Sequence, residues 1–329
     1  MGTMGSDREV VFLSAIRTPF GTFGGSLKDL SATELGVQAA RAAIERAGAP
    51  SEEYDEVFIG NFIQTSADAV DLARHVGLNA GLPEQSPART LNRLCGSGFQ
   101  AVIDGAEAIL LGGAKLCLAG GTESMSQAPH VVRGARWGLR LGPSTPFEDS
   151  LWEALTDTYC GFSMAQTAEN LAEEYDISRE DVDEYAVRSQ HLAAAAWDEG
   201  RLAEEVVPVS MLKRGKEVLF ERDEHIRADT TMEALSGLRP YFKKDGLVTA
   251  GNASGIGDGA ASLVISDAEF AGAHGIEPIG SLVSWAVAGV PPRIMGIGPA
   301  PASRMAVERA GIGFDDLTLI EVNEAFAPQ

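Results

Sequence analysis

Short apolar runs alternate with amphipathic stretches along the chain, a pattern that is typical of an α/β protein. The runs that predict strands lie at 9–16, 56–60, 89–94, 116–120, 260–266, 279–288 and 317–322. Apolar residues recur at helical spacing at 32–47, 71–78, 99–110, 178–199 and 302–310. Strands that alternate with helices predict a mostly parallel sheet that is covered by helices on both faces.

The first of these helices has clear boundary signals. Ser31 and Glu34 have the spacing of a capping box, in which each side chain bonds the backbone N–H of the other residue. Leu30 and Leu35 are placed as its hydrophobic staple. Gly48 predicts the end of the helix, because glycine takes the left-handed conformation that often follows a last helical turn.

The sequence becomes more polar near its middle, which predicts a division into domains. Residues 126–256 are rich in helix and loop signals, and the sheet-like pattern returns at 257–277. We therefore expect 1–125 and 257–277 to form one α/β half, with 126–256 as an inserted loop domain. Residues 278–329 have the pattern of the start of a second α/β half, which we expect to be truncated.

Composition and charge narrow the possible functions. The chain has 329 residues, of which 45% are hydrophobic, and it has a formal net charge of −21. This charge repels phosphate backbones, so we expect no nucleic-acid partner. No apolar run has the length of a membrane span, and the N-terminus lacks an apolar signal segment. We therefore expect a cytoplasmic protein with no membrane partner.

Cys95 is the leading candidate for chemistry. It lies between a strand-like run and the first turn of a predicted helix, and the small residues Gly96, Ser97 and Gly98 follow it. The positive end of a helix favours a thiolate, and small neighbours allow a substrate to approach closely. A nucleophilic cysteine is built in this way, although a buried structural cysteine fits the local sequence equally well.

The other cysteines and the histidines have no comparable setting. Cys117 lies in a short apolar run and is predicted to be a small core residue, while Cys160 lies in a loop-like region. Three cysteines without paired spacing do not make a disulfide framework. The five histidines lack partners at metal-ligand spacing. We therefore expect no metal site and a reducing compartment.

Six motifs resemble those of the thiolases, the acetyl-CoA acyltransferase family, and occur in the family's order. They are Ile16–Gly21, Asn92–Gly98, Gly120–Ser126, Thr167–Asn170, Thr249–Gly255 and Asn323–Ala327. One short glycine motif is weak evidence, but six in order along essentially the whole chain are specific. The resemblance implies a five-layer α/β/α/β/α fold from two related halves, and a homodimer or homotetramer.

Within the family, the chain resembles the mitochondrial-type 3-ketoacyl-CoA thiolases. The shared segments lie at 73–78, 92–100 and 295–299. Many acetoacetyl-CoA thiolases have Tyr-His-Met-Gly before the Thr-Ala-Glu-Asn motif, whereas this chain has Phe162-Ser163-Met164-Ala165. The missing histidine favours the broader 3-ketoacyl type, with the acetoacetyl-CoA type as the alternative.

The resemblance implies a ping-pong acyl transfer through Cys95. The thiolate attacks the keto carbonyl of a 3-ketoacyl-CoA, acetyl-CoA leaves, and free CoA then takes the acyl group; the reverse is a Claisen condensation. Asn323 corresponds to an asparagine that orients a water in an oxyanion hole. From the residues alone, Asn323 would be a helix N-cap after a strand. CoA is a substrate, and no permanently bound cofactor is expected.

The resemblance also implies residues that bind the substrate and CoA. Ser254 corresponds to a serine at the pantetheine arm and Arg227 to a basic residue at the nucleotide end. From the residues alone, they would be a turn residue and a surface charge. The other implied contacts are apolar: Ala250, Met164, Phe242, Met295, Ala325 and Phe326.

Two motifs of the family do not occur in the 329 residues. They are the Gly-His-Pro motif of the catalytic histidine and the Cys-x-Gly-Gly motif of the acid/base cysteine. Without them the thiolate loses its activating partner and the acetyl enolate its proton donor, so we expect this chain to be inactive or barely active. A decarboxylating ketoacyl synthase and a non-catalytic acyl-CoA-binding subunit are the competing interpretations.

Overall fold

The computed structural model describes residues 8–139, 142 and 146–329. They form two compact units. The sheet unit comprises the residues up to 128 together with 202–225 and 256–283, and the helical unit comprises 129–201, 226–255 and 284–329. The expected division into two halves and an inserted domain stays a prediction.

The strands and helices of the described residues are as follows. The strands are β1 (Val10–Arg17), β2 (Gly21–Thr22), β3 (Glu56–Gly60), β4 (Ala88–Leu91), β5 (Leu116–Ser124), β6 (His130–Val131), β7 (Glu148–Asp149), β8 (Thr156–Asp157), β9 (Phe162–Ser163), β10 (Val209–Lys213), β11 (Lys216–Phe220), β12 (Gly257–Asp267) and β13 (Gly280–Ser281). The α-helices are α1 (Ala32–Ala47), α2 (Leu72–Ala80), α3 (Ser97–Leu110), α4 (Ser150–Ala154), α5 (Met164–Glu174), α6 (Arg179–Asp198), α7 (Met232–Ser236), α8 (Ala268–Ala273) and α9 (Pro299–Ala310).

The main sheet of the sheet unit is mixed. Its strand order is β13-β1-β12-β5-β3-β4, and β2 also pairs with β12. β3 runs parallel to β4 and β5, whereas β12 lies between β1 and β5 and runs antiparallel to both. The prediction of a mostly parallel sheet is therefore wrong. An apolar run indicates that a strand is buried, but it does not give the direction of the strand in the sheet. β12 is separated in sequence from its neighbour β5 by the whole of the polar middle segment 126–256, so its direction does not follow from the alternation of strands and helices.

Helices cover both faces of this sheet, as the alternating pattern predicts. Leu116, Leu118 and Val264 lie in one buried cluster with the apolar residues of α1. The residues that alternate with them face α3, where Gly105 lies against Phe58, Cys117 and Ile265. Because neighbouring residues of a strand point to opposite faces, both faces of β5 and β12 are buried.

The start of α1 confirms the predicted capping box. The Ser31 hydroxyl accepts a hydrogen bond from the Glu34 backbone N–H at 3.2 Å, and the Glu34 carboxylate accepts one from the Ser31 N–H at 2.8 Å. Gly48 follows the helix with a φ of 66°, the left-handed conformation that ends a helix. Both signals are local in sequence, which is why they predict these boundaries correctly.

Two predicted strands differ from the structure. Of residues 279–288, only Gly280–Ser281 forms a strand, although the backbone N–H groups of Ile279 and Leu282 also donate to β1. The described backbone at 317–322 forms no strand, and Leu319 and Ile320 are 84% and 64% exposed. An apolar run forms a strand only where a neighbouring strand accepts its backbone hydrogen bonds. Within the described ranges, no helix has the length and apolar character needed to cross a membrane.

Candidate active site

Cys95 lies on the link between β4 and α3. Its side chain is exposed, and α3 begins two residues later at Ser97. A Cβ added to Gly60, the last residue of β3, would lie 2.6 Å from the Ser97 Cβ. The helix can therefore start directly over the end of the strand only because residue 60 has no side chain. The predicted thiol between a strand and the first turn of a helix is confirmed.

The other two cysteines lie in different environments. Cys117 is fully buried in β5, and burial raises the pKa of its thiol, an effect that the nearby Glu56 and Asp55 carboxylates reinforce. Its predicted place in the core is confirmed. Cys160 is half-buried, and its thiol donates a hydrogen bond to Asp157 Oδ2 at 3.3 Å. In the described residues, no three His, Cys, Asp or Glu side chains are grouped to hold a metal ion.

In the helical unit, two predicted site segments are joined by backbone contacts. The Ser254 N–H donates to the Ala325 carbonyl at 2.9 Å, and the Ala327 N–H donates to the Asn252 carbonyl at 2.9 Å. Ala253 and Phe326 form an antiparallel bridge between these bonds. The structure therefore brings the predicted residues of 249–255 and 323–327 together.

Two buried carboxylates anchor the first of these segments. Glu169 of α5 accepts the backbone N–H groups of Leu247 and Val248 at 2.7 to 2.9 Å. Asp183 of α6 accepts Asn252 Nδ2 at 2.8 Å, and Asn252 Oδ1 accepts the Thr249 N–H at 2.8 Å. Buried carboxylates are stable only with such partners, so these three side chains fix the loop that carries Ala250 and Ser254.

Helix α6 also holds the second segment. Tyr185 Oη and Ser189 Oγ donate to the two carboxylate oxygens of Glu324 at 2.7 and 2.6 Å. The hydrogen bond to Glu324 raises the pKa of Tyr185. Asn323 precedes Glu324 in irregular, exposed backbone, and no helix begins there. The interpretation of Asn323 as a helix N-cap is therefore wrong, because the strand and helix that it would join do not form.

Arg227 is hydrogen-bonded to Gln190, the residue that follows Ser189 in α6. Its backbone N–H donates to Gln190 Oε1 at 2.6 Å, and its guanidinium donates to the Ile226 carbonyl at 3.2 Å. Since Ser189 bonds Glu324 and Gln190 bonds Arg227, adjacent residues of α6 hold two parts of the predicted CoA site. This role of α6 is not visible in its sequence, which is that of an acidic surface helix.

Most of the predicted apolar contacts surround α5. Phe242 and Phe326 pack against a buried cluster of Ala165, Ala168 and Val248. Met164 is the first residue of α5, and Met295 lies in the 3₁₀ turn Pro292–Ile297, which packs on the same helix. A row of apolar side chains thus follows α5 beside the joined segments.

Comparison with known proteins gives these features a context. The family models "Thiolase, N-terminal domain" and "Thiolase, C-terminal domain" match residues 10–269 and 276–329. The chain is 49% identical over 323 residues to the 3-ketoacyl-CoA thiolase, mitochondrial, of Homo sapiens, with 98% of this chain and 81% of the human protein covered. It is 46% identical over 326 residues to an acetyl-CoA acetyltransferase of Syntrophomonas wolfei subsp. wolfei, with 98% and 81% covered.

Solved structures give the same result for the fold. The crystal structure of the human mitochondrial 3-ketoacyl-CoA thiolase matches with a TM-score of 0.95 and 48% identity, covering 98% of this chain and 81% of that one. A crystal structure of the human protein in complex with CoA matches with a TM-score of 0.94 and 48% identity, with 98% and 80% covered. The predicted fold class is confirmed.

One expectation is contradicted by these relatives. The absence of an apolar signal segment predicts a cytoplasmic protein, but the human, Pongo abelii and Bos taurus relatives are mitochondrial enzymes. The prediction is wrong because the lack of an apolar secretory segment does not test for the amphipathic sequences that direct import into mitochondria.

Proposed function

Because the chain belongs to the thiolase family of acyltransferases, we propose that it cleaves 3-ketoacyl-CoA substrates through an acyl thioester on Cys95. The observation that carries this proposal is the setting of Cys95, an exposed free thiol at the start of α3. Cys117 is buried, and the Cys160 thiol is hydrogen-bonded to the Asp157 carboxylate. CoA is a substrate of this reaction and not a resident cofactor.

The proposed first half-reaction moves the acyl group to the protein. The Cys95 thiolate attacks the 3-keto carbonyl, the C2–C3 bond breaks, and its electron pair remains on C2 as the enolate of acetyl-CoA. That carbon takes up a proton from a general acid, and acetyl-CoA leaves. Negative charge develops on the keto oxygen in the addition step, so a hydrogen-bond donor is needed there.

The second half-reaction returns the enzyme to its starting state. The CoA thiol loses a proton and attacks the acyl thioester, so that the acyl-CoA product leaves and the Cys95 thiolate is restored. The proton lost by CoA balances the one taken up by the acetyl enolate. Run backwards, the same steps form a carbon–carbon bond by Claisen condensation. Asn323 is proposed to hold a water that stabilises the thioester oxyanion.

The joined segments of the helical unit are the proposed CoA site. Ser254 and Ala250 would contact the pantetheine arm together with Ala325, and Arg227 would face the nucleotide end, where a guanidinium suits phosphate. Met164, Phe242, Met295 and Phe326 would line the path of the acyl chain. The contacts that support this assignment are the bonds of 252–254 to 325–327 and the apolar packing along α5.

The proposed substrate range is broad, and its setting is fatty acid β-oxidation. The support is the Phe162-Ser163-Met164-Ala165 sequence, which lacks the histidine of many acetoacetyl-CoA thiolases, and the similarity to 3-ketoacyl-CoA thiolases. An acetoacetyl-CoA-specific enzyme is the second candidate, favoured by the similarity to an acetyl-CoA acetyltransferase. A homodimer or homotetramer remains the proposed assembly.

Release of acetyl-CoA under single-turnover conditions tests the proposal. With the chain in excess over 3-ketohexanoyl-CoA, we expect slow release of acetyl-CoA from the wild type and from the control Cys160→Ser, because the Gly-His-Pro and Cys-x-Gly-Gly motifs do not occur in the 329 residues, and none from Cys95→Ser. Equal release by Cys95→Ser would contradict the role of Cys95. Bound CoA without any release would favour the non-catalytic acyl-CoA-binding interpretation, and the steady-state rate tests the expected low activity.

A further inference from the structure

The residue before Cys95 has an uncommon backbone conformation. Leu94 has a φ of 51°, in the left-handed region that L-residues other than Asn and Asp rarely adopt. Its side chain is 54% exposed, so burial of the leucine does not explain the conformation. A backbone of this kind persists only where neighbouring groups hold it, and such residues cluster at functional sites.

The Ser97 hydroxyl is hydrogen-bonded to the backbone on both sides of the Arg93–Leu94 peptide. It accepts the Arg93 N–H at 2.8 Å and donates to the Leu94 carbonyl at 2.6 Å. The Ser97 backbone N–H donates to the same carbonyl at 3.0 Å. Ser97 is only 6% exposed, so water does not compete freely for these bonds.

Asn92 connects the same peptide to a second strand end. Its Oδ1 accepts the Leu94 N–H at 2.8 Å, and its Nδ2 donates to the Phe62 carbonyl at 3.0 Å. Phe62 lies in the turn directly after β3. Asn92 therefore fixes the position of Leu94 relative to the end of β3, over which α3 begins.

Glu123 is hydrogen-bonded to the turn that follows β3. It lies near the end of β5, and its carboxylate accepts the backbone N–H groups of Phe62 and Ile63. The neighbouring Asn61 also donates to β5, from Nδ2 to the Thr122 carbonyl at 2.9 Å. Hydrogen bonds thus run without a break from Glu123 through Phe62 and Asn92 to Leu94.

We propose that Ser97 and Asn92 are positioning residues for Cys95, and that Glu123 supports them through Phe62. Together they hold Leu94 in the left-handed conformation, which sets the direction of the Cys95 thiol and of its backbone N–H at the start of α3. The inference rests on the proposed role of Cys95 as the nucleophile. It adds residues that do not touch the substrate but act through the nucleophile's backbone.

The three cysteines provide internal readouts for a test on the whole chain. Iodoacetamide, a small uncharged alkylating reagent, is applied for short times, and the labelled peptides are quantified by mass spectrometry. Cys95 reports the proposed site, and half-buried Cys160 reports general thiol reactivity. Fully buried Cys117 becomes reactive only when a variant unfolds.

Loss of the positioning bonds should slow alkylation of Cys95 alone. In Ser97→Ala and in Asn92→Ala, we expect its rate to fall about fivefold relative to Cys160, the effect of one net hydrogen bond, because the thiol is no longer held at the positive end of α3. Ser97→Thr keeps the hydroxyl that accepts from Arg93 and donates to Leu94, and it should retain most of the rate. Ser210→Ala, which removes a hydroxyl bond on β10, is the matched control.

A second variant tests the backbone argument directly. Glycine takes the left-handed conformation without strain, so adding Leu94→Gly to Ser97→Ala should restore part of the Cys95 rate. A merely structural role for Ser97 would not be relieved by a glycine at position 94. Asn92 is exposed, so Asn92→Ala decides the question even if Ser97→Ala unfolds.

The outcomes separate the inference from the proposed function. A wild-type Cys95 that reacts no faster than Cys160 would contradict the nucleophile assignment. A fast Cys95 that is unaffected by Ser97→Ala and Asn92→Ala would overturn the inference alone. An equal change at Cys95 and Cys160 would overturn it as well, because it would reflect a general loosening of the fold.

Discussion

At the residue scale, the pKa of Glu123 depends on the burial of its carboxylate against the turn at 61–63. Burial raises the pKa of Glu123 from its ordinary value of 4.5 to about 7, although the hydrogen bonds from Phe62 and Ile63 act in the opposite direction. Between these two pH values the folded chain binds more protons than the unfolded chain. The contribution of Glu123 to the free energy of unfolding therefore falls as the pH rises through this interval.

Substitution of Glu123 by glutamine isolates this effect. Glu123→Gln removes the titration and keeps a side-chain oxygen that can accept the Phe62 N–H. We expect the free energy of unfolding of the wild type to decrease relative to that of the variant between pH 4.5 and about 7, as measured by urea unfolding. The control Glu52→Gln changes an exposed carboxylate. Parallel pH curves for the wild type and Glu123→Gln would show that Glu123 does not titrate in this interval.

Residues of the candidate site differ in how far the sequence predicts them. Cys95 and Ser254 lie in glycine-rich motifs that are recognisable as strings of letters. Asn92 lies in the same motif as Cys95, but its role, like that of Asp183, is recognisable only through its hydrogen-bond partners, because any polar side chain on a helix or loop is first expected to face water. Asp183 is 1% exposed and bonds Asn252. The sequence therefore identifies the residues proposed to react or to bind CoA, whereas the residues that position them are identified from their hydrogen bonds in the structure.

At the element scale, α6 links the two segments of the proposed CoA site. Asp183 bonds Asn252 within 249–255, and Ser189 bonds Glu324 within 323–327. Asp183 also accepts Arg179 Nε at 2.7 Å, one helical turn away. The N-cap of this helix was predictable, since Ser178 and Asp181 form a reciprocal cap. Its contacts were not, because they join residues far apart in the sequence.

Removal of the Asp183 carboxylate should affect both stability and ligand binding. We expect Asp183→Ala to lower the free energy of unfolding by about 3 kcal/mol, since Arg179 and Asn252 lose a buried charged partner. CoA affinity, measured by calorimetry under conditions where the variant is folded, should fall as well. Glu184→Ala on the exposed face of α6 is the control. Unchanged CoA affinity in folded Asp183→Ala would separate α6 from the binding site.

At the scale of the whole molecule, the order of the motifs was more informative than any one of them. Six motifs predict the fold class, which the similarity to solved thiolases confirms. The direction of β12 was not predictable, because it depends on where the chain re-enters the sheet after the residues that precede it. The net charge of −21 argues only against polyanionic partners, and composition does not encode a cellular location.

The central claim, that Cys95 carries the acyl group between two half-reactions, is tested most directly by the mass of its peptide. The chain is incubated with 3-ketooctanoyl-CoA without free CoA, quenched, digested and analysed by tandem mass spectrometry. We predict a hexanoyl thioester on Cys95 that disappears when CoA is added. A hexanoyl group on Cys160, or release of acetyl-CoA with Cys95 unmodified, would contradict the claim.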